Sequence, residues 1–296
     1  MKKRVISGAV YTALLVGFFC LKIYVHAFCF DALIYAFAVI GTWEILRAFK
    51  EKTTKAERVI VMLFAFICIP VCAITEYYLS YGLHYTGACF VVFAVAILSL
   101  LVLDHDKTTL ENLGISFLSA VYPVLLLTML VLTNHAPQIS ALQDVAFNSN
   151  LLVLFIFVVS PLADVFAFLF GISLKKVFPK KLAPTLSPNK TIVGAVGGLI
   201  GGMLGAGALY FVYGAVCGSY ENMGLWLPIY LVMGFFAAAA TEFGDLVESC
   251  IKRKVGIKDM GKIMPGHGGV LDRIDGTLFA SMVVYLAFSI VRMYLI

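Results

Sequence analysis

Long apolar runs separated by short polar breaks make up most of this chain. A helix needs about 20 apolar residues to cross a bilayer. Nine runs approach that length, at roughly 5–21, 27–46, 59–77, 84–103, 113–133, 150–172, 191–216, 226–249 and 276–296. The pattern predicts an all-α, polytopic membrane helix bundle of about nine transmembrane helices. Residues 1–150 would form N-terminal helices serving as scaffold and lipid access. Residues 151–296 would form a C-terminal group of helices with cytoplasmic loops.

Composition excludes the soluble alternative. Of the 296 residues, 61% are hydrophobic and 13% charged, against about 45–50% and about 25% in soluble domains. A water-soluble core cannot absorb so much apolar surface. The seven cysteines are scattered without a CxxC pair, so they read as small hydrophobes, not a disulfide framework or zinc site. The net charge of +5 suits a membrane surface or a phosphate-bearing substrate without deciding between them. Nothing in the pattern points to nucleic acid.

Met1-Lys2-Lys3-Arg4 ahead of an apolar run resembles a signal sequence. Lys22 and further apolar segments follow with no clear cleavage site, so a retained first span is expected. With the N-terminus in the cytoplasm, twenty of the 22 Lys and Arg residues fall on the cytoplasmic side, leaving Lys22 and Arg292 outside. That asymmetry predicts a cytoplasmic N-terminus and an external C-terminus.

Acids inside a bilayer are costly and usually functional. Asp164 lies in the sixth apolar run, Glu242, Asp245 and Glu248 in the eighth, and Glu44 in the second. Glu242, Asp245 and Ser249 share one helical face. Asp164 and Asp245 read as functional; for Glu44 and Glu248 a solvated interfacial place stays equally open. Gly194, Gly198 and Gly202, like Gly197, Gly201 and Gly205, recur every four residues, a spacing that lets a neighbouring helix approach closely.

The densest polar stretch runs from Glu248 to Asp275. Lys252, Arg253, Lys254, Lys258 and Lys262 bring positive charge. Pro265-Gly266-His267-Gly268-Gly269 reads as a turn whose amides suit phosphate oxygens. Asp272 and Asp275 open the last run and, with Asp245, form three hard oxygen donors suited to magnesium. Arg273 can add a bidentate phosphate contact. A basic loop obeying the positive-inside rule explains the lysines, but not His267 among glycines or two aspartates at the mouth of a hydrophobic helix.

The stretch Ser249–Asp275 resembles the signature of phosphatidate cytidylyltransferases (CDP-diacylglycerol synthases), through Ser249, Lys252, Arg253, Lys258, Asp259, His267, Gly268, Gly269, Asp272, Arg273 and Asp275. Asp164, Phe168, Gly171 and Leu186-Ser187-Pro188-Asn189-Lys190-Thr191 resemble a second family segment. There Ile192-Val193 stands where relatives commonly have Trp-Glu, and Phe168 where they have an aromatic hydroxyl. Trp43-Glu44 is also similar to the family. The resemblance implies that CTP and phosphatidic acid give CDP-diacylglycerol and pyrophosphate in phospholipid biosynthesis. It implies Mg2+ on Asp245, Asp272 and Asp275, with a monovalent cation left open. Lys252, Arg253, Lys258 and Arg273 would hold phosphates and His267 would contact phosphate or the leaving group. Ser187, Asn189 and Lys190 would bind substrate, with Ser249, Gly268, Gly269 and Asp164 completing the site. The protein would be a multi-pass protein of a bacterial cell membrane, its active site facing the cytoplasm, with a homodimer left open.

Three other readings compete. A CTP-dependent polyprenol or lipid kinase would transfer the γ-phosphoryl group instead. A transporter would use the buried acids and glycine-rich helices as a path, but leaves the one-sided phosphate-binding constellation unexplained. A CDP-alcohol phosphotransferase requires Asp-Gly, two residues, then Ala-Arg, whereas Asp275-Gly276 is followed by Thr277-Leu278-Phe279-Ala280.

Overall fold

The computed structural model describes residues 2–136, 148–218, 223–266 and 268–295. Among them are nine helices long and apolar enough to cross a membrane. These are α1 (Lys2–Tyr24), α2 (Ala27–Ala48), α3 (Lys55–Leu79), α4 (Gly82–Leu103), α5 (Leu110–Asn134), α6 (Ser149–Ser173), α7 (Ile192–Cys217), α8 (Met223–Val255) and α9 (Leu271–Leu295). A short antiparallel hairpin, β1 (Lys181–Ala183) and β2 (Ser187–Thr191), precedes α7. The bundle is an integral, multi-pass, all-α membrane protein apart from that hairpin. The chain divides into two compact units, Met1–His135 with Lys254–Ile274, and Ala136–Arg253 with Asp275–Ile296.

The first unit packs α1–α5 around residues such as Ala38, Ile45, Val61, Cys68 and Val131, all fully buried. Thr54 and Glu57 start α3 with a reciprocal capping box: Thr54 N–H donates to Glu57 Oε2 at 2.6 Å, and Glu57 N–H to Thr54 Oγ1 at 3.2 Å. Two orphan amides of the first turn are thereby satisfied. Midway along α5 the backbone widens into a π-helical turn over Val121–Leu125. Pro123 sits inside it, and a proline can neither donate an N–H nor tolerate the carbonyl one turn back.

The first unit also buries charge. Asp31 on α2 is 5% exposed. Its Oδ1 accepts from Asn134 Nδ2 at 2.8 Å, and Oδ2 lies 2.5 Å from His135 Nε2. Lys22 Nζ donates to the Asn134 carbonyl at 3.4 Å. Removing one member of a buried polar cluster strands the others without solvent to replace it. Asp31→Ala is therefore expected to cost about 3–5 kcal/mol, seen as a lower midpoint of thermal unfolding in detergent. A midpoint within 1–2 °C of the parent, roughly the shift of a neutral surface change, would show that the cluster contributes nothing to stability.

In the second unit the glycines of α7 replace side chains at the contact with α6. A Cβ on Gly197 would meet the Phe170 side chain at 2.5 Å, and one on Gly194 the Ala167 carbonyl at 2.8 Å. Gly244 on α8 plays the same part against α9, where a Cβ would lie 2.6 Å from the Asp275 carbonyl oxygen. Helix α8 runs on past the apolar stretch to Val255, so Lys252, Arg253 and Lys254 form its last turn and not a loop. Strong helix formers fill that turn, Lys252 Nζ pairs with Glu248 Oε2 one turn back at 2.7 Å, and cations suit a helix C-terminus.

Candidate active site

A cleft of about 470 Å3 opens in the second unit. From α6 it takes Asp164, Phe168 and Gly171, spaced to lie on one helical face, and from the turn after α6 it takes Lys175. From the hairpin it takes Asn189, Lys190 and Thr191, and from α8 Glu242 and Asp245. The hairpin delivers its residues because β2 runs directly into α7. The Ile192 N–H donates to the Lys180 carbonyl at 3.1 Å, and Thr191 Oγ1 caps α7 by accepting from the Gly194 N–H at 3.1 Å. That junction holds Lys190 Nζ 2.6 Å from Asp245 Oδ2. Ser249, one turn beyond, donates through Oγ to Asp245 Oδ1 at 3.3 Å.

Beside this pair, Glu242 is buried, and its Oε1 has no hydrogen-bond partner among the described residues. That oxygen fills the space where a side chain on Gly198 would begin. An unsatisfied buried carboxylate oxygen is expensive, so Glu242 marks a place where a donor or cation is wanted. Asp275 also belongs to this unit. Its carboxyl lies within hydrogen-bonding reach of Glu248 and close to Asp245, and its Oδ1 accepts from the Gly276 N–H at 2.8 Å.

The first unit holds the loop that leads into α9. Asp272 Oδ2 accepts from the Met260 N–H at 2.9 Å and from the Gly269 N–H at 2.7 Å. Met264 and Gly268 exchange both backbone hydrogen bonds, and Gly268 takes φ +92°, a conformation open to glycine and strained for other residues. Glu44, fully buried on α2, closes the assembly. Its Oε1 accepts from the Val270 N–H at 3.0 Å and its Oε2 from the Leu271 N–H at 2.9 Å. Gly261 and Gly269 pack directly on that carboxylate, where a Cβ would collide.

The residues expected from the sequence thus have distinct surroundings. Asp164, Asn189, Lys190 and Asp245 line one cleft, and Ser249 hydrogen-bonds to Asp245. Ser187 begins β2 and is half-buried; Lys252 pairs with Glu248. Arg253, Lys258 and Arg273 present exposed side chains. The amides of Gly268 and Gly269 donate within the chain, so these glycines contribute loop shape and not a phosphate cradle. His267 lies outside the described residues. Ile192 and Val193 do not line the cleft; with Phe178 and Lys180 they border a separate hollow of about 310 Å3. The departures at those two positions therefore leave the cleft wall intact. Glu242 and Glu44 are the residues that sequence reasoning left without a role. The spacing of Glu242 from Asp245 was the available signal for the first; for Glu44 the signals were its place in an apolar run and the family likeness of Trp43-Glu44, while its partners are too distant in the chain to be read.

Among the described residues no three His, Cys, Asp or Glu side chains form a ready-made metal cage. Magnesium does not require one, since it takes one or two carboxylates and completes its shell with phosphate and water oxygens. The second unit offers hard anionic donors on Asp164, Glu242, Asp245 and Asp275, one of them an orphaned oxygen. This donor set fits magnesium arriving with a polyphosphate.

The family model described as "Cytidylyltransferase family" matches residues 2–291. A phosphatidate cytidylyltransferase of Staphylococcus aureus (strain COL) is 43% identical over 130 residues, which cover 43% of this chain and 45% of that protein. Those of Staphylococcus saprophyticus and Staphylococcus haemolyticus are 41% and 40% identical over 127 residues, with the same coverage. Each match spans less than half the length of the relative.

Proposed function

Because the chain belongs to the cytidylyltransferase family, we propose that it is a CTP:phosphatidate cytidylyltransferase, converting CTP and phosphatidic acid into CDP-diacylglycerol and pyrophosphate. The observation that carries this reading is the second unit's cleft. It sets Lys190 and Lys175 among the carboxylates of Asp164, Glu242 and Asp245, against apolar walls that include Phe168 and Ile172. Cations and hard anions in one hollow suit a metal-bound triphosphate, and the apolar walls suit a diacylglycerol stem.

In the reaction an oxygen of the lipid's phosphate monoester attacks the α-phosphorus of CTP. The new P–O bond forms as the bond to the β-phosphate's bridging oxygen breaks, and pyrophosphate leaves with the electron pair. The monoester is already ionised near neutral pH, so positioning and charge neutralisation carry the catalysis. Lys190, held at 2.6 Å by Asp245, would offer its ammonium to a phosphate oxygen. Asn189 beside it donates a neutral hydrogen bond, and Lys175 adds positive charge on the α6 side. Lys252 and Arg253, in the last turn of α8, would supply further cations; Lys258, His267 and Arg273 are assigned to the phosphates or the leaving group by the family resemblance alone. Asp245 and Asp275, with Glu242 as a further donor, would hold magnesium, which would neutralise the triphosphate; Asp272, whose Oδ2 accepts two amides of its own loop, is assigned to metal by the family resemblance alone. We place this chemistry at the cytoplasmic face, on the asymmetry of the basic residues.

Product labelling tests the reading. Purified protein with phosphatidic acid and magnesium is expected to transfer label from α-labelled CTP into lipid, while γ-labelled CTP yields labelled pyrophosphate only. Label from the γ-position in the lipid would make the protein a kinase, and no transfer from either would remove the enzymatic reading.

A further inference from the structure

The first unit carries a second hollow, of about 670 Å3, between α2 and α3. None of its lining residues belongs to the cleft of the second unit. It takes Trp43, Leu46, Arg47 and Lys50 from α2 and the turn after it, and from α3 a stripe beginning at Lys55 and Arg58 and ending at Phe66. Each set recurs at three- and four-residue intervals and so occupies one face of its helix. The two ends of the groove differ. Where α2 stops and α3 starts, four cations line it (Arg47, Lys50, Lys55 and Arg58) and no acid does. Further along, the walls are aromatic and aliphatic.

Of the neighbouring acids, Glu51 is exposed beside Lys50 and does not line the groove, and three others are engaged elsewhere. Glu44 holds the loop before α9, Glu57 closes the capping box, and Glu111 pairs with Lys52. Arg58 Nη1 donates to the carbonyls of Lys50 and Thr53, which fixes the guanidinium without neutralising it. The Arg47 guanidinium stacks 5.2 Å from the centre of the Trp43 ring. Among the described residues none of the four cations is in an ion pair. From Lys55 to Phe66 the helix rises about 16 Å, close to half of the bilayer's hydrocarbon thickness of about 30 Å. The groove therefore has the depth of one leaflet, a cationic mouth at a membrane surface and an apolar interior.

We propose that this groove binds an anionic glycerophospholipid of the surrounding bilayer, its phosphate held by Arg47, Lys50, Lys55 and Arg58 and one acyl chain lying along Trp43, Leu63 and Phe66. The site is separate from the proposed catalytic cleft and does not depend on the reaction assigned there. A zwitterionic lipid fits less well, because its ammonium would face four cations.

The two tryptophans make the site measurable. Trp43 is 43% exposed, whereas Trp226 is fully buried. Full-length protein is placed in phosphatidylcholine nanodiscs doped with phosphatidylglycerol or phosphatidylcholine carrying brominated acyl chains. A Trp43→Phe protein supplies the Trp226 background. Brominated phosphatidylglycerol is expected to quench Trp43 at low mole fraction, with phosphatidylcholine needing about tenfold more. Reversing Lys50 and Lys55 together (K50E/K55E) is expected to weaken the phosphatidylglycerol response about tenfold or more, since each surface cation contributes about a factor of five to anionic-lipid affinity. Both lysines are exposed, so the variant should fold, which its gel-filtration profile checks. Equal quenching by both lipids would overturn the proposal, as would a selective response that survives K50E/K55E.

Discussion

Asp245→Asn is expected to lower turnover of CTP about 100- to 1,000-fold, the loss typical of removing one preorganised charge from a reacting centre. Asparagine keeps the shape of the side chain and an oxygen for the Ser249 hydroxyl. It removes the negative charge that stands 2.6 Å from Lys190 Nζ and the anionic donor that would hold magnesium. The residue is only half-buried, so the fold should tolerate the change, and the thermal midpoint is expected to stay within about 3 °C of the parent. Activity should not return at high magnesium, because the missing charge also positions Lys190. Lys190→Met should show a comparable loss, and the double variant little more than either alone, as for residues that act as a unit. If Asp245→Asn kept a third or more of the parent turnover, the cleft would lose its catalytic assignment.

Glu44→Ala is expected to be as damaging by another route. No substrate needs to touch Glu44. Its two oxygens accept the Val270 and Leu271 amides and so anchor the loop at the point where α9 begins. Two buried amides left without acceptors cost about 2–5 kcal/mol together. Much of that cost falls on the loop, which should loosen before the helices do. Glu44→Gln is a sharper test, because its amide presents one acceptor and one donor to two N–H groups. Both variants are expected to lose about 10- to 100-fold in turnover, since a displacement of about 1 Å at a site costs that much. Limited trypsin digestion supplies an independent readout: Lys258 and Lys262 are exposed on the braced loop and should be cut several-fold faster once the brace is gone. Parent-like digestion together with parent-like turnover in Glu44→Ala would show that the loop stands without it.

Sequence periodicity located the nine spans, with edges off by about six residues at most, because hydropathy is a local property. The same applies to the glycine spacing of α7, which reports a contact before the partner helix is known. The π-helical turn at Pro123 was not legible, since a proline in a long helix is accommodated in several ways and neighbouring packing decides which. The hairpin before α7 was missed because its strands are three and five residues long, too short for an alternating pattern. The candidate site divided along the same line. Asp164, Lys190 and Asp245 were legible as charges out of place in apolar surroundings. Glu242 was seen on the face of Asp245, but its orphaned oxygen depends on the backbone of α7 at Gly198. The bracing of Asp272 by Met260 and Gly269 is a property of the folded loop, which no spacing rule reports.

The Glu44 anchor also bears on how the protein is made. Its two acceptor contacts join residues 226 and 227 positions apart. At ribosomal rates of about 5–20 residues per second, roughly 10–45 s separate synthesis of the carboxylate from synthesis of the amides it will hold. Through that interval Glu44 has entered the membrane region without its final partners, a costly state for an acid. Water, lipid headgroups or the insertion machinery must shelter it until the last helix arrives. A chain truncated before Val270 would lack both amides and leave the carboxylate without the two donors that satisfy it here.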